Sequence, residues 1–169
     1  MISPTELVAF VNAMYAVSDT AEMTVTGKAP SRAYATKVYN ALFPALAPAG
    51  TQTQQINISA NGDFVLLRIL YAANIAHAAQ TVNTLVVPEI SVQITDGGSD
   101  ENFAITAVNI NSMASLGGNS NKDVDLPYPR VISGRSTLTL VATNNEAANT
   151  YNLEIDLVGV LVKTWGGPL

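Results

Sequence analysis

The second part of the chain, from Thr53 onward, is a series of short segments rich in Val, Ile, Leu and Thr that are separated by Gly, Asn and Pro. The clearest segment is 137–143, in which Leu138, Leu140 and Ala142 alternate with Thr and Val. Strict alternation places every second side chain on one face of a strand. Seven or eight such strands predict a mainly β fold, an antiparallel β-sandwich of the jelly-roll type.

Turn residues set the limits of the other predicted strands. Residues 54–59 and 63–71 predict a hairpin, because Asn61-Gly62 between them accepts the positive φ values of a tight turn. We expect further strands at 91–95, 103–110, 130–132, 137–143 and 151–163.

The last predicted strand has one uniformly apolar face and one mixed face. Its second face begins with polar side chains and continues as Val158, Val160 and Val162. We expect either the N-terminal helix or another strand to cover these valines, or a subunit interface to use them. They are therefore candidate partner-binding residues.

The first fifty residues differ from the rest, and we predict a helical segment or arm over 1–50 and the β-sandwich domain over 51–169. Ser3, Pro4 and Glu6 have the spacing of a capping box, which starts a helix that runs to about Val17. A second helix is predicted after Ser31, with Tyr34, Val38 and Leu42 on one side. The Pro- and Ala-rich residues 41–50 predict a semi-rigid linker.

Charge argues against a nucleic-acid partner. Only 12% of the residues are charged and the net charge is −5, whereas phosphate binding requires clustered Lys and Arg. Thr, Asn, Ala and Ser supply most of the polar surface, which suits contacts with proteins.

Few sequence features suggest localisation. The first positive side chain is Lys28, so the start of the chain does not have the pattern of a secretory signal. No segment approaches the roughly 18 apolar residues of a membrane span. We expect synthesis in a cytoplasm and no membrane partner.

No catalytic motif is evident, and we expect no enzymatic activity and no cofactor. His77 is the only histidine, there is no cysteine, and the sequence has no Gly-x-Ser-x-Gly motif. Asp96, Asp100 and Glu101 lie in a Gly-rich turn that could hold Ca²⁺, although the spacing is not that of an EF-hand and solvated turns explain them more simply. A glycosidase pair of carboxylates drawn from separate strands remains open.

Several motifs follow one another over residues 54–163 in an order that resembles the β domains of decoration or cement proteins in tailed-phage heads. They are Phe64-x-x-x-Arg68, Val92-x-Ile94-x-Asp96 before glycines, Leu126-Pro127-x-Pro129-Arg130-Val131-Ile132, Ser136-Thr137-Leu138-Thr139-Leu140 and Tyr151-Asn152-Leu153-x-Ile155-x-Leu157-x-Gly159. The resemblance implies a virion protein that binds the lattice of the major capsid protein, commonly as a homotrimer.

Two arginines are the remaining candidate partner-binding residues. Arg130 and Arg135 flank the predicted turn before strand 137–143. We expect them either to pair with Asp or Glu on adjacent loops or to bind an acidic partner surface.

Two other functions fit the same sequence. A jelly-roll capsid protein would assemble into shells by itself. A tail or fibre module would bind host glycans, for which Trp165 and the Asn-rich loops are the indications.

Overall fold

The computed structural model describes residues 3–26, 31–76, 86–116, 126 and 128–165. Within them the chain forms two helices, α1 (Pro4–Thr26) and α2 (Ile110–Met113), and ten strands. The strands are β1 (Ser31–Leu46), β2 (Thr51–Asn57), β3 (Asp63–Ile75), β4 (Ile90–Asp96), β5 (Glu101–Asn102), β6 (Val108–Asn109), β7 (Ser115–Leu116), β8 (Arg130–Ile132), β9 (Thr137–Asn144) and β10 (Tyr151–Trp165).

The strands form two sheets, and the prediction of a mainly β fold is confirmed. In the sheet that we call sheet 1, β10 lies between β1 and β3, and β8 and β7 pair with the other edge of β3. In sheet 2, β9 lies between β2 and β4, and β5 and β6 pair with β4. All pairings are antiparallel except that of β7 with β3. The arrangement is consistent with a β-sandwich.

The main hydrophobic core is built from the alternating side chains of both sheets. Leu138, Leu140 and Ala142 of β9 are fully buried, as predicted, and every second residue of β4 is buried with them. Sheet 1 contributes a matching layer that includes Phe43, Phe64, Leu66, Ile132, Leu153 and Ile155. Because one face of each strand is buried here, its register is fixed.

The N-terminal helix begins as predicted. The Ser3 amide donates to Glu6 Oε2 at 2.8 Å, and the Glu6 amide donates to Ser3 Oγ at 3.2 Å, which completes the capping box. The helix continues to Thr26 and is therefore longer than the apolar periodicity indicated. Neither described helix is long and apolar enough to cross a membrane.

The predicted second helix and linker were wrong, because residues 31–46 form β1. This strand pairs with β10 from Ser31 opposite Trp165 to Leu46 opposite Tyr151. Side chains four residues apart share a face in a strand as well as in a helix, so the spacing of Tyr34, Val38 and Leu42 did not distinguish the two. Sheet 1 therefore includes residues that the sequence had assigned to the N-terminal segment.

The predicted hairpin between β2 and β3 was also wrong. β2 pairs with β9 in sheet 2, whereas β3 pairs with β10 in sheet 1. The chain crosses between the sheets at Asn61-Gly62. A Cβ atom on Gly62 would lie 2.1 Å from the Val162 carbonyl oxygen, so glycine allows a close backbone approach at this crossing.

Among the remaining predicted strands, 103–110 was wrong and the others were confirmed. Only the short strands β5 and β6 pair with β4 in this region, and α2 begins at Ile110. Ile105 is 96% exposed, so this apolar segment does not contribute a continuous buried face. The strands predicted at 91–95, 130–132, 137–143 and 151–163 match β4, β8, β9 and β10.

Candidate functional site

Arg130 connects the two sheets. Its Nη2 lies 3.0 Å from Glu101 Oε2, and its guanidinium carbon lies 4.3 Å from the centre of the Phe103 ring. β8 belongs to sheet 1, whereas Glu101 belongs to β5 of sheet 2 and Phe103 follows that strand. The arginine therefore pairs with an acid in the short strand β5, and its contact with an outside partner stays a prediction.

Arg135 occupies the turn between β8 and β9 and has an exposed side chain. Its φ of 69° is in the left-handed region, which is unfavourable for a residue with a Cβ atom. Two side chains hold the backbone of the turn: the Gly134 amide donates to Asp63 Oδ1 at 2.8 Å, and Ser136 Oγ donates to the Ser133 carbonyl at 2.7 Å. Within the described part of the chain, the Arg135 guanidinium has no carboxylate partner.

Two of the three valines of β10, Val160 and Val162, lie beneath α1, so for these two the structure favours cover by the N-terminal helix. Val160 and Val162 are 9% and 1% exposed, and they pack with Val65 and with Val11 of the helix. Because α1 packs on Val160 and Val162, a partner cannot reach these two side chains while the helix is in place. Val158 is half-buried and does not belong to this cluster, so its role in partner binding stays a prediction.

A polar contact fixes the helix to the sandwich. The Tyr15 hydroxyl donates a hydrogen bond to Asp63 Oδ2, and the Arg32 guanidinium lies 4.5 Å from the centre of the Tyr15 ring. The same Asp63 carboxylate accepts the Gly134 amide. Asp63 therefore links α1, the start of β3 and the turn that carries Arg135, a role that no sequence pattern indicated.

In the acidic turn at the end of β4, the first carboxylate accepts hydrogen bonds from the turn itself. Asp96 is buried and accepts hydrogen bonds from the Gly98 amide at 2.9 Å and from Ser99 Oγ at 3.0 Å. Glu101 pairs with Arg130. Among the described residues, no group of three or more His, Cys, Asp or Glu side chains is placed to hold a metal ion.

A cavity of about 620 Å³ opens between β8 and α2. Its wall is mainly apolar and includes Ile69, Phe103, Met113 and Leu126. Its polar lining residues are Asn111, Ser112, Tyr128 and Arg130. The Asn111 Oδ1 accepts from the Tyr71 hydroxyl, and the Nδ2 donates to the Pro88 carbonyl. These bonds hold the amide in place, and burial raises the pKa of Tyr71, which keeps its hydroxyl protonated.

The outer face of sheet 1 carries an apolar strip beside the helix. Tyr34, Val38 and Leu42 of β1 are 38%, 49% and 56% exposed, and we call these three residues the outer strip. Next to it, Asn40 Nδ2 donates to Glu154 Oε1 at 2.6 Å and to Asp156 Oδ1 at 2.7 Å. The outer strip lies on β1, which is an edge strand of sheet 1. One edge of β1 pairs with β10, and the other pairs with no described strand.

Some candidate residues fall outside the described part of the structure. These are His77, the loop residues 117–125 and Pro127, together with the side chain of Trp165. The two hypotheses that depended on His77 and Trp165 therefore stay untested.

Comparison with protein-family models, with curated proteins and with solved structures found no match for this chain.

Proposed function

We propose that the chain is a single jelly roll that serves as a non-enzymatic virion protein. The order of strand pairing supports the fold: β1 pairs with β10, β2 with β9, β3 with β8, and β4 with β5 and β6. First strands pair with last ones, as in a long hairpin that wraps around a core. Viral capsid and lectin domains use this double Greek key.

Within that class, our proposal is a decoration or cement protein that binds the lattice of the major capsid protein and stabilises the head. This follows the sequence resemblance described above. A low-charge surface suits this role, since many copies on a symmetric lattice gain affinity from repetition and each contact is modest.

Arg135 is our candidate contact with an acidic lattice surface. Its charge is exposed, and its backbone is held in an unfavourable conformation by the hydrogen bonds of Gly134 and Ser136. Strained non-glycine residues persist where surrounding structure determines them, and they concentrate at functional sites. Arg130 is less suitable because Glu101 and Phe103 already occupy its guanidinium.

The test is binding to heads of a tailed phage that lack their decoration protein. We expect saturable cosedimentation with these heads and a higher temperature of head rupture. Arg135→Glu should weaken binding at least tenfold, whereas the matched variant Arg135→Lys, which keeps the charge, should retain most of it. Absence of saturable binding by the wild-type chain would contradict the proposal.

The pairing order also favours a second candidate, a jelly-roll capsid protein that forms shells by itself. Electron microscopy of the purified chain distinguishes the two. Closed particles without added heads would favour the capsid protein, and small discrete species that bind added heads would favour the decoration protein.

A further inference from the structure

We propose that β1 forms an antiparallel pair with β1 of a second copy of this chain, with the two-fold axis at Val38. This inference is independent of the proposed function. It starts from the position of β1, which is the long edge strand of sheet 1 and pairs only with β10 among the described strands. An open edge presents a row of unpaired amides and carbonyls that can pair with another strand.

The two faces of sheet 1 limit how two copies of β1 can pair. The residues with even numbers from Tyr34 to Leu42 are all exposed on the outer face, whereas Ala41 and Phe43 are buried in the core. Residues directly opposite each other in an antiparallel pair point to the same side. For the outer face to continue from one copy into the other, residues with even numbers must lie opposite residues with even numbers. This is possible only when the two-fold axis passes through a residue and not between two residues.

Side-chain chemistry selects Val38 among the available centres. With Val38 at the axis, the outer strip is self-complementary: Tyr34 faces Leu42 of the second copy and Val38 faces Val38. Thr36 then faces Asn40, a pair that can hydrogen bond. Aromatic or aliphatic cross-strand pairs of this kind stabilise sheets.

Charge excludes the neighbouring centre. An axis at Lys37 would place two lysines directly opposite each other, which is unfavourable. With the axis at Val38, Lys37 faces Tyr39 of the second copy. In a single copy the Lys37 ammonium already lies 5.4 Å from the centre of the Tyr39 ring, so a lysine over this ring is compatible with the strand.

Axes at Tyr39 and at Thr36 pair the outer strip less completely. An axis at Tyr39 would put Val38 opposite Asn40 and Leu42 opposite Thr36. An axis at Thr36 would put Arg32 opposite Asn40 and leave Leu42 without a partner within β1. Pro44 and Ala45, which has a φ of 49°, end the regular edge, so the pair covers residues 33–43.

The chain has no cysteine, which permits a direct test of this register. In Val38→Cys, oxidation should link the two copies almost completely, because the thiols face each other across the axis. In the matched control Thr36→Cys, which is exposed on the same face, the two cysteines lie four positions apart along the strand, or about 14 Å. This distance is too long for a disulfide, and we expect little crosslinking.

Sedimentation of the unmodified chain provides the second measurement. We expect a dimer whose population rises with concentration. Val38→Lys should be monomeric, because two lysines would meet at the axis, and an equal mixture with Val38→Glu should restore dimers. Thermal unfolding of each variant at low concentration checks that the exposed substitution leaves the monomer folded.

Three results would overturn the proposal. The first is a wild-type chain that stays monomeric up to millimolar concentration, and the second is a discrete trimer. The third is equal crosslinking of the Val38→Cys and Thr36→Cys variants.

Discussion

The hydroxyl of Tyr15 in α1 donates a hydrogen bond to the carboxylate of Asp63 at the start of β3. This bond fixes the helix above the apolar face of β10. Tyr15→Phe removes the hydroxyl and keeps the ring beneath Arg32. We expect the free energy of unfolding in urea to fall by about 1.5 kcal/mol, the usual contribution of a bond to a charged acceptor. Tyr34→Phe, at an exposed tyrosine, is the control, and an equal effect of both would contradict the role of Asp63.

Substitution of the buried Val11 tests how much the packing of α1 on sheet 1 stabilises the protein. Val11 is fully buried against Val160 and Val162, whereas Val8 is 38% exposed. Val11→Ala removes two buried methyl groups, and we expect a loss of about 2 kcal/mol in unfolding free energy. Val8→Ala should cost less than about 0.5 kcal/mol, as at most surface positions. Similar losses for the two variants would indicate that α1 does not cover the valines of β10.

Gly159 of β10 packs directly against the backbone and side chains of β3. A Cβ atom there would lie 2.1 Å from the Val65 carbonyl oxygen and 2.8 Å from two atoms of the Phe64 ring. Gly159→Ala should therefore cost about 3 kcal/mol or more by overpacking. Gly97→Ala, whose nearest atom would be the Thr137 carbonyl at 3.0 Å, should cost clearly less. Thermal unfolding of both variants gives the comparison.

Replacement of Arg135 by glycine should stabilise the protein, because of its backbone conformation. Its φ of 69° is one that glycine adopts without a Cβ penalty. We expect Arg135→Gly to raise the free energy of unfolding by about 0.5 kcal/mol, the relieved strain less the added backbone entropy. Ser133→Gly in the same turn should lower it. If Arg135→Gly is more stable but binds phage heads less well, Arg135 contributes to binding and not to stability.

Tyrosine ionisation predicts the response to alkali. Burial raises the pKa of Tyr71, and burial followed by the Glu146 hydrogen bond raises that of Tyr151. Above the ordinary tyrosine pKa near 10, the unfolded chain loses these protons before the folded chain does. The contribution of these tyrosines to stability is therefore fully present well below pH 10 and falls as the pH rises toward and above that value. In Tyr71→Phe, the free energy of unfolding in urea should decrease less steeply between pH 9 and 11 than in the wild-type chain. An unchanged slope would contradict this expectation.

The sequence predicted those strands whose alternation is enforced by a single buried face. In β9, the buried Leu138 and Leu140 alternate with half-buried residues, and β10 alternates in the same way from Tyr151 to Leu157. Such periodicity is local and can be read from a single segment.

The sequence did not predict features that depend on distant pairing. β1 is rich in alanine and has a spacing of four, and its strand conformation comes from fourteen positions of pairing with β10, more than a hundred residues later. Tertiary pairing overrode the helical preference of alanine. The same limit applies to the candidate site. The Tyr15 contact with Asp63 leaves no local pattern, and the spacing of Tyr34, Val38 and Leu42 does not show that these side chains are exposed.

The central position of β10 has a consequence for how the protein is made. β1 and β3 lie on either side of β10 and do not pair with each other, so sheet 1 cannot close until residues 151–165 have left the ribosome. During synthesis the apolar faces of β1 and β3 therefore stay without their main partner, and chaperones have a natural substrate in the nascent chain. Pairing between such distant segments also makes folding slow for a domain of this size.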